Sequence, residues 1–144
     1  MFKIIDSKQP DYMAVAFDVH QPTFRHEMFK DYKGTRKPMM EELREQVPVI
    51  KELLQKMNIT TVELPGYEAD DVIGTLSKKG EKAGMEVDVI SGDRDLLQLA
   101  SDHITICIPK TKKGQTTVEE YNTEGVMKLY KVTPTEFIDV KALM

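Results

Sequence analysis

Acidic residues are concentrated in two short segments of this 144-residue sequence, residues 68–71 and residues 93–95. A further acid, Asp18, directly follows an apolar run. Two like charges 4 Å apart repel by about 4 kcal/mol at an effective dielectric of 20, so a carboxylate cluster needs protons or cations. Oxygen ligands without histidine or cysteine suit Mg²⁺ or Mn²⁺. Two such ions ~3.5–4 Å apart can activate water and stabilise the leaving oxygen in phosphodiester cleavage.

Ordinary structural roles also account for these acids. Acids in the first turn of a helix are favoured by the macrodipole by ~0.3–1 kcal/mol each, so residues 68–71 also fit a solvated helix start. Asp93 also fits the N-cap of a following helix. On spacing alone these roles are the commoner ones. The interpretation as a metal site is as well supported as these roles only because the acids follow three separate predicted strand ends.

A basic stretch precedes the first acidic segment. Residues 25–37 contain five Lys or Arg and only two acids, with Phe24, Phe29 and Tyr32 interleaved. Cations can bind phosphates, and aromatic rings can stack on unpaired bases. The same composition fits a solvated loop with a few aromatics in the core, which spacing alone favours. The net charge of −4 argues against a general DNA-coating protein.

The elements that must position these residues are strands alternating with helices. This alternation predicts an α/β fold with a mainly parallel sheet covered by helices, in which sites form at the carboxyl ends of strands. Pro48 is expected to kink or split one helix. A capping-box pattern at Thr133 and Glu136 begins the last helix. The predicted strands are residues 12–17, 61–64, 87–90, 104–108 and 116–118, and the predicted helices cover residues 43–57, about 68–82, and the segments that open at residues 96 and 133.

Length and composition suit one domain without a membrane segment. No apolar run approaches the ~20 residues that a membrane span needs, and the first residues are too polar for a signal peptide, so a cytoplasmic setting is expected. Cys107 lies in an apolar run and is expected to be a buried thiol in a strand. One cysteine and three histidines at unrelated spacings make a zinc site improbable.

Five segments of the sequence stand out as motifs: Ala16-Phe17-Asp18, Phe24-Arg25-His26-Glu27, Tyr32-Lys33-Gly34-Thr35-Arg36, Gly66-Tyr67-Glu68-Ala69-Asp70-Asp71-Val72-Ile73-Gly74 and Ser91-Gly92-Asp93-Arg94-Asp95-Leu96-Leu97-Gln98-Leu99. Together they resemble the 5′ nuclease domain of bacterial DNA polymerase I. The last two are highly specific motifs, and the resemblance covers essentially the whole chain. It implies a PIN-like fold with a helical arch or mobile basic loop, at about residues 20–48, and structure-selective cleavage of DNA flaps and RNA primers in replication and repair.

The resemblance also implies roles for individual residues. Lys33 is a candidate for both catalysis and DNA binding. Asp71 matches the catalytic motif with a less defined role, and a polymerase in the same parent chain is an expected partner, in a bacterial, nucleoid-associated setting. The implied metal ligands, for two Mg²⁺ or Mn²⁺ ions, are Asp18, Glu68, Asp70, Asp93 and Asp95, and the implied DNA contacts are Arg25, Lys33 and Arg36.

The sequence departs from the family pattern at both ends. Nothing before Asp18 supplies the aspartate of the family's first strand, and Met144 precedes the expected Gly-Asp-x-x-Asp-Asn segment. We therefore expect an incomplete nuclease core, weak or inactive as written and inclined to associate. The alternatives are a non-catalytic fragment with weak metal and DNA binding, and an aspartate-based phosphotransferase. The latter needs a Thr or Ser close after its aspartate, which the segment 93–97 does not fit.

Overall fold

A computed structural model of the chain describes residues 2–19, 21–35, 39–112 and 114–144. These residues divide into two compact units, Met1–Val72 and Ile73–Met144. The prediction of a single domain over residues 1–144 stays a prediction. None of the helices in the described ranges is both long and apolar enough to cross a membrane.

The first unit is built around a pair of short parallel strands. Helix α1, Phe2–Lys8, is followed by strand β1, Ala14–Ala16, which pairs with strand β2, Thr60–Val62. The register aligns Ala14 with Thr60 and Ala16 with Val62. Because the strands are parallel, their carboxyl ends meet at the same edge. Asp18 and the connection to the next helix therefore begin at a common edge of the first unit.

Two helices separate these strands in the sequence. Helix α2 covers Phe24–Met28, and helix α3 covers Glu41–Lys56. Of the kink or split predicted at Pro48, the split is wrong, because α3 continues through it, and a kink stays a prediction. Proline removes one backbone hydrogen bond there, and the same helix buries Leu54.

Helix α4, Ala69–Lys82, begins in the first unit and continues into the second. The preceding turn contains Gly66 at a φ of +85°, and Gly84 follows the helix at a φ of +78°. Glycine adopts such left-handed conformations at little cost, so it suits both the entry turn and the helix end. The Pro-Gly turn and the glycine stop predicted from the sequence are confirmed.

The second unit has a three-stranded mixed sheet. Strand β3, Val87–Ile90, pairs in parallel with β4, Ile104–Lys112, which pairs antiparallel with β5, Gln115–Tyr121. A 3-10 helix, Arg94–Leu99, connects β3 towards β4. Cys107 lies fully buried in β4, as predicted. The α/β class with parallel pairing is therefore confirmed, and the hairpin is longer than expected.

The last two helices close the second unit. Helix α5 covers Thr123–Tyr130 and helix α6 covers Phe137–Leu143. The predicted capping hydrogen bonds form between Thr133 and Glu136, just before α6. The sequence pattern did not predict α1, α2 or α5, which are only 7, 5 and 8 residues long. The buried core of this unit consists of Val89, Leu96, Leu97, Ala100, Ile104, Ile106, Ile108, Val126 and Phe137.

Candidate active site

Asp18 lies at the carboxyl end of β1 and contacts the start of α4. Its Oδ1 atom accepts a hydrogen bond of 2.7 Å from the backbone N–H of Ala69, the first residue of that helix. The first N–H groups of a helix have no partner within it, and the local dipole favours an anion there. The parallel pairing of β1 with β2 explains why two residues 51 positions apart meet. Asp18 thus joins the acidic segment that the sequence reading expected it to join.

Asp71 is held from two directions. Arg25 donates to both of its carboxylate oxygens, over 2.7 and 2.8 Å. The backbone N–H of Glu68 also donates to Asp71 Oδ2, over 3.0 Å, so Asp71 helps cap its own helix. The hydrogen bonds from Arg25 hold the pKa of Asp71 below its usual value, and the N–H of Glu68 lowers it further, against the opposing effect of burial. Asp71 is therefore a fixed carboxylate that stays ionised.

Glu68 receives its partners from the basic stretch. Lys33 Nζ lies 2.8 Å from Glu68 Oε1, and the Tyr32 hydroxyl donates to Oε2 over 3.3 Å. The Glu68 side chain is only 13% exposed, so this neutralisation matters more than it would on the surface. Lys33 itself has a left-handed backbone, with a φ of +56°. Two residues predicted to contact DNA, Arg25 and Lys33, thus contact the acids of their own unit.

Two further predicted residues belong to this region, Asp70 and Arg36. Asp70 lies partly buried in the first turn of α4. Arg36, predicted to bind DNA, lies outside the described residues, as does Lys37 of the basic stretch. The helical arch expected at about residues 20–48 stays a prediction.

In the second unit, Asp93 follows β3 and caps the 3-10 helix. Its Oδ1 atom accepts from the backbone N–H of Asp95 over 2.8 Å, and the Ser91 hydroxyl accepts from the N–H of Asp93 over 3.1 Å. The capping role that the sequence allowed is therefore real. It occupies one carboxylate oxygen of Asp93 and is compatible with a cation at the other.

Asp95 has a cationic partner that the sequence reading missed. Lys141 in α6 places its Nζ 2.6 Å from Asp95 Oδ1, and the two side chains are 38% and 50% exposed. The hydrogen bond to Asp95 raises the pKa of Lys141. The pairing depends on how α6 packs beside the 3-10 helix, so spacing in the sequence carries no signal for it.

The chemistry of these donors fits a hard divalent cation. The candidate ligands offer only carboxylate oxygens, which Mg²⁺ and Mn²⁺ prefer to the nitrogen and sulfur donors of zinc. Within neither unit do three histidine, cysteine or acidic side chains of the described residues lie close enough together to hold a metal ion. Lys33 and Lys141 instead pair with one carboxylate each, Glu68 and Asp95, while Arg25 pairs with Asp71 and also lies 3.9 Å from Glu68.

Comparison with known protein families identifies the family of this chain. Residues 1–131 match the model of the 5′-3′ exonuclease, N-terminal resolvase-like domain. The chain belongs to this exonuclease family. The resemblance to a 5′ nuclease family that the sequence motifs indicated is therefore confirmed.

Named relatives of this exonuclease-family chain are bacterial polymerases. It is 51% identical to DNA polymerase I of Bacillus caldotenax over 142 residues, which are 99% of the chain and 16% of that protein. It is 51% identical to DNA polymerase I of Bacillus subtilis (strain 168) over 144 residues, 100% of the chain and 16% of that protein. The chain thus spans about one sixth of the length of these relatives.

Solved structures confirm the fold of this exonuclease-family chain. The crystal structure of the T5 D15 protein co-crystallised with metal ions superimposes with a TM-score of 0.79 at 26% identity, covering 99% of this chain and 56% of that one. The T5 5′-exonuclease with zinc bound gives a TM-score of 0.76 at 26% identity, covering 98% and 54%. The 5′ nuclease fold expected from the sequence is confirmed, and these neighbours hold divalent metal ions.

Proposed function

We propose that this chain supplies catalytic core residues of a structure-selective 5′ nuclease that hydrolyses phosphodiester bonds in DNA. The proposed substrates are DNA with 5′ ends or flaps and RNA primers on DNA. The proposed cation ligands are Asp18, Glu68 and Asp70 in the first unit and Asp93 and Asp95 in the second. The observation that carries the proposal is the Asp18–Ala69 contact, which joins a strand-end acid to the acidic start of α4 within a chain of the exonuclease family.

The proposed cofactor is a pair of Mg²⁺ or Mn²⁺ ions, because the donors are carboxylate oxygens. When bound, these ions would supply an activated water and neutralise charge on the leaving oxygen. The protein's own part is to hold the carboxylates in place beforehand. Asp71 does so at the start of α4, because Arg25 fixes both of its oxygens.

Lys33 has a proposed role on the substrate. Its ammonium lies 2.8 Å from Glu68, and its side chain is 29% exposed, so a phosphate can approach it. A divalent cation on Glu68 would compete for that carboxylate and make the ammonium available to a phosphate. Arg36 is a second proposed phosphate contact, on the basis of its place in the motif that begins at Tyr32.

The setting proposed for this activity is the bacterial cytoplasm, with a polymerase in the same parent chain. The support is that the two named relatives are bacterial DNA polymerases I, of which the aligned part is 16%.

A second candidate is a piece that binds metal and DNA weakly without cutting. It is favoured by the ion pairs of Glu68, Asp71 and Asp95 with Lys33, Arg25 and Lys141, because these already neutralise three carboxylates without a metal. Binding of flap DNA without metal-dependent cleavage would select this candidate.

The test is cleavage of a labelled 5′-flap DNA by the chain in Mg²⁺, with and without a chelator. The variant is Asp93→Asn, and the control is Asp102→Asn, which removes an equal charge from an exposed position of the same unit. We expect weak cleavage that the chelator and Asp93→Asn abolish and Asp102→Asn leaves unchanged. Cleavage by Asp93→Asn at the wild-type rate would overturn the assignment of this acid.

A further inference from the structure

The side chain of Arg94, which lies between Asp93 and Asp95, makes a long-range contact with α5. Its Nη1 donates a 2.7 Å hydrogen bond to the hydroxyl of Tyr130, the last residue of α5. The contact joins residues 36 positions apart within the second unit. The turn that carries Asp93 and Asp95 is therefore connected through Arg94 to a helix.

Tyr130 is itself a fixed anchor. Its ring lies 4.7 Å from the ring of Phe137, centroid to centroid, at an interplanar angle of 60°. Phe137 is 1% exposed and belongs to the core of the second unit. Aromatic pairs at this distance and tilt attract each other beyond their buried area. The Tyr130 hydroxyl is thus held in place by packing that does not involve Arg94.

The other hydrogen bonds that the residues of this turn make with one another are local. The Ser91 hydroxyl accepts a hydrogen bond from the N–H of Asp93, and the Asp93 carboxylate accepts one from the N–H of Asp95. The Gln98 amide donates to the carbonyl of Asp95 over 2.8 Å. These bonds shape the turn, but none of them fixes its direction relative to α5. Among the described residues, the side-chain contact Arg94–Tyr130 connects the turn to α5, and Lys141–Asp95 connects it to α6.

We propose that Arg94 and Tyr130 form a positioning pair that fixes the Asp93–Asp95 turn for cation binding. The inference rests on the proposed function, because it assumes that these aspartates are ligands. Neither member touches the cation. Their effect passes through the backbone of the turn, whose ends are the two ligand residues.

The physical reason is the precision that a cation site demands. Mg²⁺ requires ligand oxygens at about 2.0–2.1 Å in near-octahedral geometry, so a turn that swings freely spends little time in the binding arrangement. Residues that orient ligands typically contribute about 10- to 100-fold in metal affinity. Arg94 acts one backbone link away from each ligand, so we expect about 3- to 10-fold for its tether.

Tyr130→Phe isolates this contribution, because it removes the hydroxyl and keeps the ring against Phe137. The matched control is Tyr121→Phe, which removes the hydroxyl that donates to Glu119 over 2.6 Å in the same unit. Calorimetric titration of the chain with Mn²⁺ measures affinity, and urea unfolding measures stability. We expect Tyr130→Phe to weaken Mn²⁺ binding by about 3- to 10-fold. Tyr121→Phe should leave the affinity unchanged.

A second measurement needs no metal. The N–H of Asp95 is protected by its hydrogen bond to Asp93, so its exchange with deuterated water reports the opening of the turn. We expect faster exchange of this amide in Tyr130→Phe and an unchanged rate in Tyr121→Phe. Adding Arg94→Met to Tyr130→Phe should not speed the exchange of this amide further, because both substitutions break the same hydrogen bond.

The outcomes separate this inference from the proposed function. If Asp93→Asn loses Mn²⁺ affinity while Tyr130→Phe keeps both the affinity and the Asp95 exchange rate of the wild type, the positioning role is wrong and the proposed function stands. If the wild type binds no Mn²⁺, or Asp93→Asn binds it equally well, the proposed function fails and this inference fails with it.

Discussion

Arg25 donates to both carboxylate oxygens of Asp71 from a helix 46 residues earlier in the chain. The pair links α2 to the start of α4 within the first unit. Its two parallel hydrogen bonds give the fixed geometry that arginine forms with carboxylates. The basic stretch is therefore partly a structural support of the acids beside it.

Asp71→Asn should destabilise the first unit by about 1–2 kcal/mol at pH 7, because it weakens charge-assisted hydrogen bonds and leaves Arg25 without its anion. The folded-state pKa of Asp71 is lowered. The stabilisation is thus fully present above the unfolded pKa of about 4 and is lost as the pH falls through the folded-state pKa. Urea unfolding at pH 7 and pH 3 measures both effects.

The control for that experiment is Glu41→Gln. Glu41 pairs with Arg44 at 3.7 Å, and both side chains are more than half exposed. Such surface pairs contribute little to stability. If Asp71→Asn lowered the free energy of unfolding no more than this control does, the Arg25–Asp71 pair would contribute no more than an exposed surface pair.

Lys141→Gln should strengthen binding of Mn²⁺ several-fold. The Lys141 ammonium lies 2.6 Å from Asp95 Oδ1, so it competes with a divalent cation for that oxygen and repels it. Calorimetric titration checks the sign, and the gain should shrink as salt rises, because both side chains are partly exposed. Weaker binding in the variant would mean that Lys141 orients Asp95 rather than competing for it.

Lys33→Ala and Arg36→Ala should each weaken binding to DNA of any sequence. A cation that contacts a phosphate releases a counterion, so each loss should reduce the slope of log affinity against log salt by about 1. Fluorescence titrations at several salt concentrations measure this. The control is Lys79→Ala, an exposed lysine of α4. Slopes equal to the wild type in both variants would make the basic stretch ordinary surface.

Leu97→Ala should destabilise the second unit by about 2–5 kcal/mol, because it leaves a cavity beside tightly packed side chains. Leu97 is fully buried in the 3-10 helix that follows Asp93. Leu129→Ala is the comparison, since Leu129 is 48% exposed in the same unit. Equal shifts of the thermal midpoint in the two variants would contradict the core described for this unit.

The sequence by itself determined the local elements and the order of the acids along them. Apolar runs predicted β1, β3 and β4, because a buried strand needs side chains that tolerate burial on both faces. The Pro65-Gly66 turn and Gly84 marked the ends of elements through backbone conformations that glycine allows. Asp18 and Asp93 could be placed at strand ends because each lies at or just after the end of an apolar run.

Tertiary structure alone decided which charges meet. The contacts Asp18–Ala69, Arg25–Asp71 and Arg94–Tyr130 join residues 51, 46 and 36 positions apart. Such pairs depend on strand pairing and helix packing, and no local pattern encodes them. The continuous path of α3 through Pro48 also goes against a local preference, that of proline to end a helix. Lys141 became a neighbour of Asp95 only when α6 packed beside the 3-10 helix.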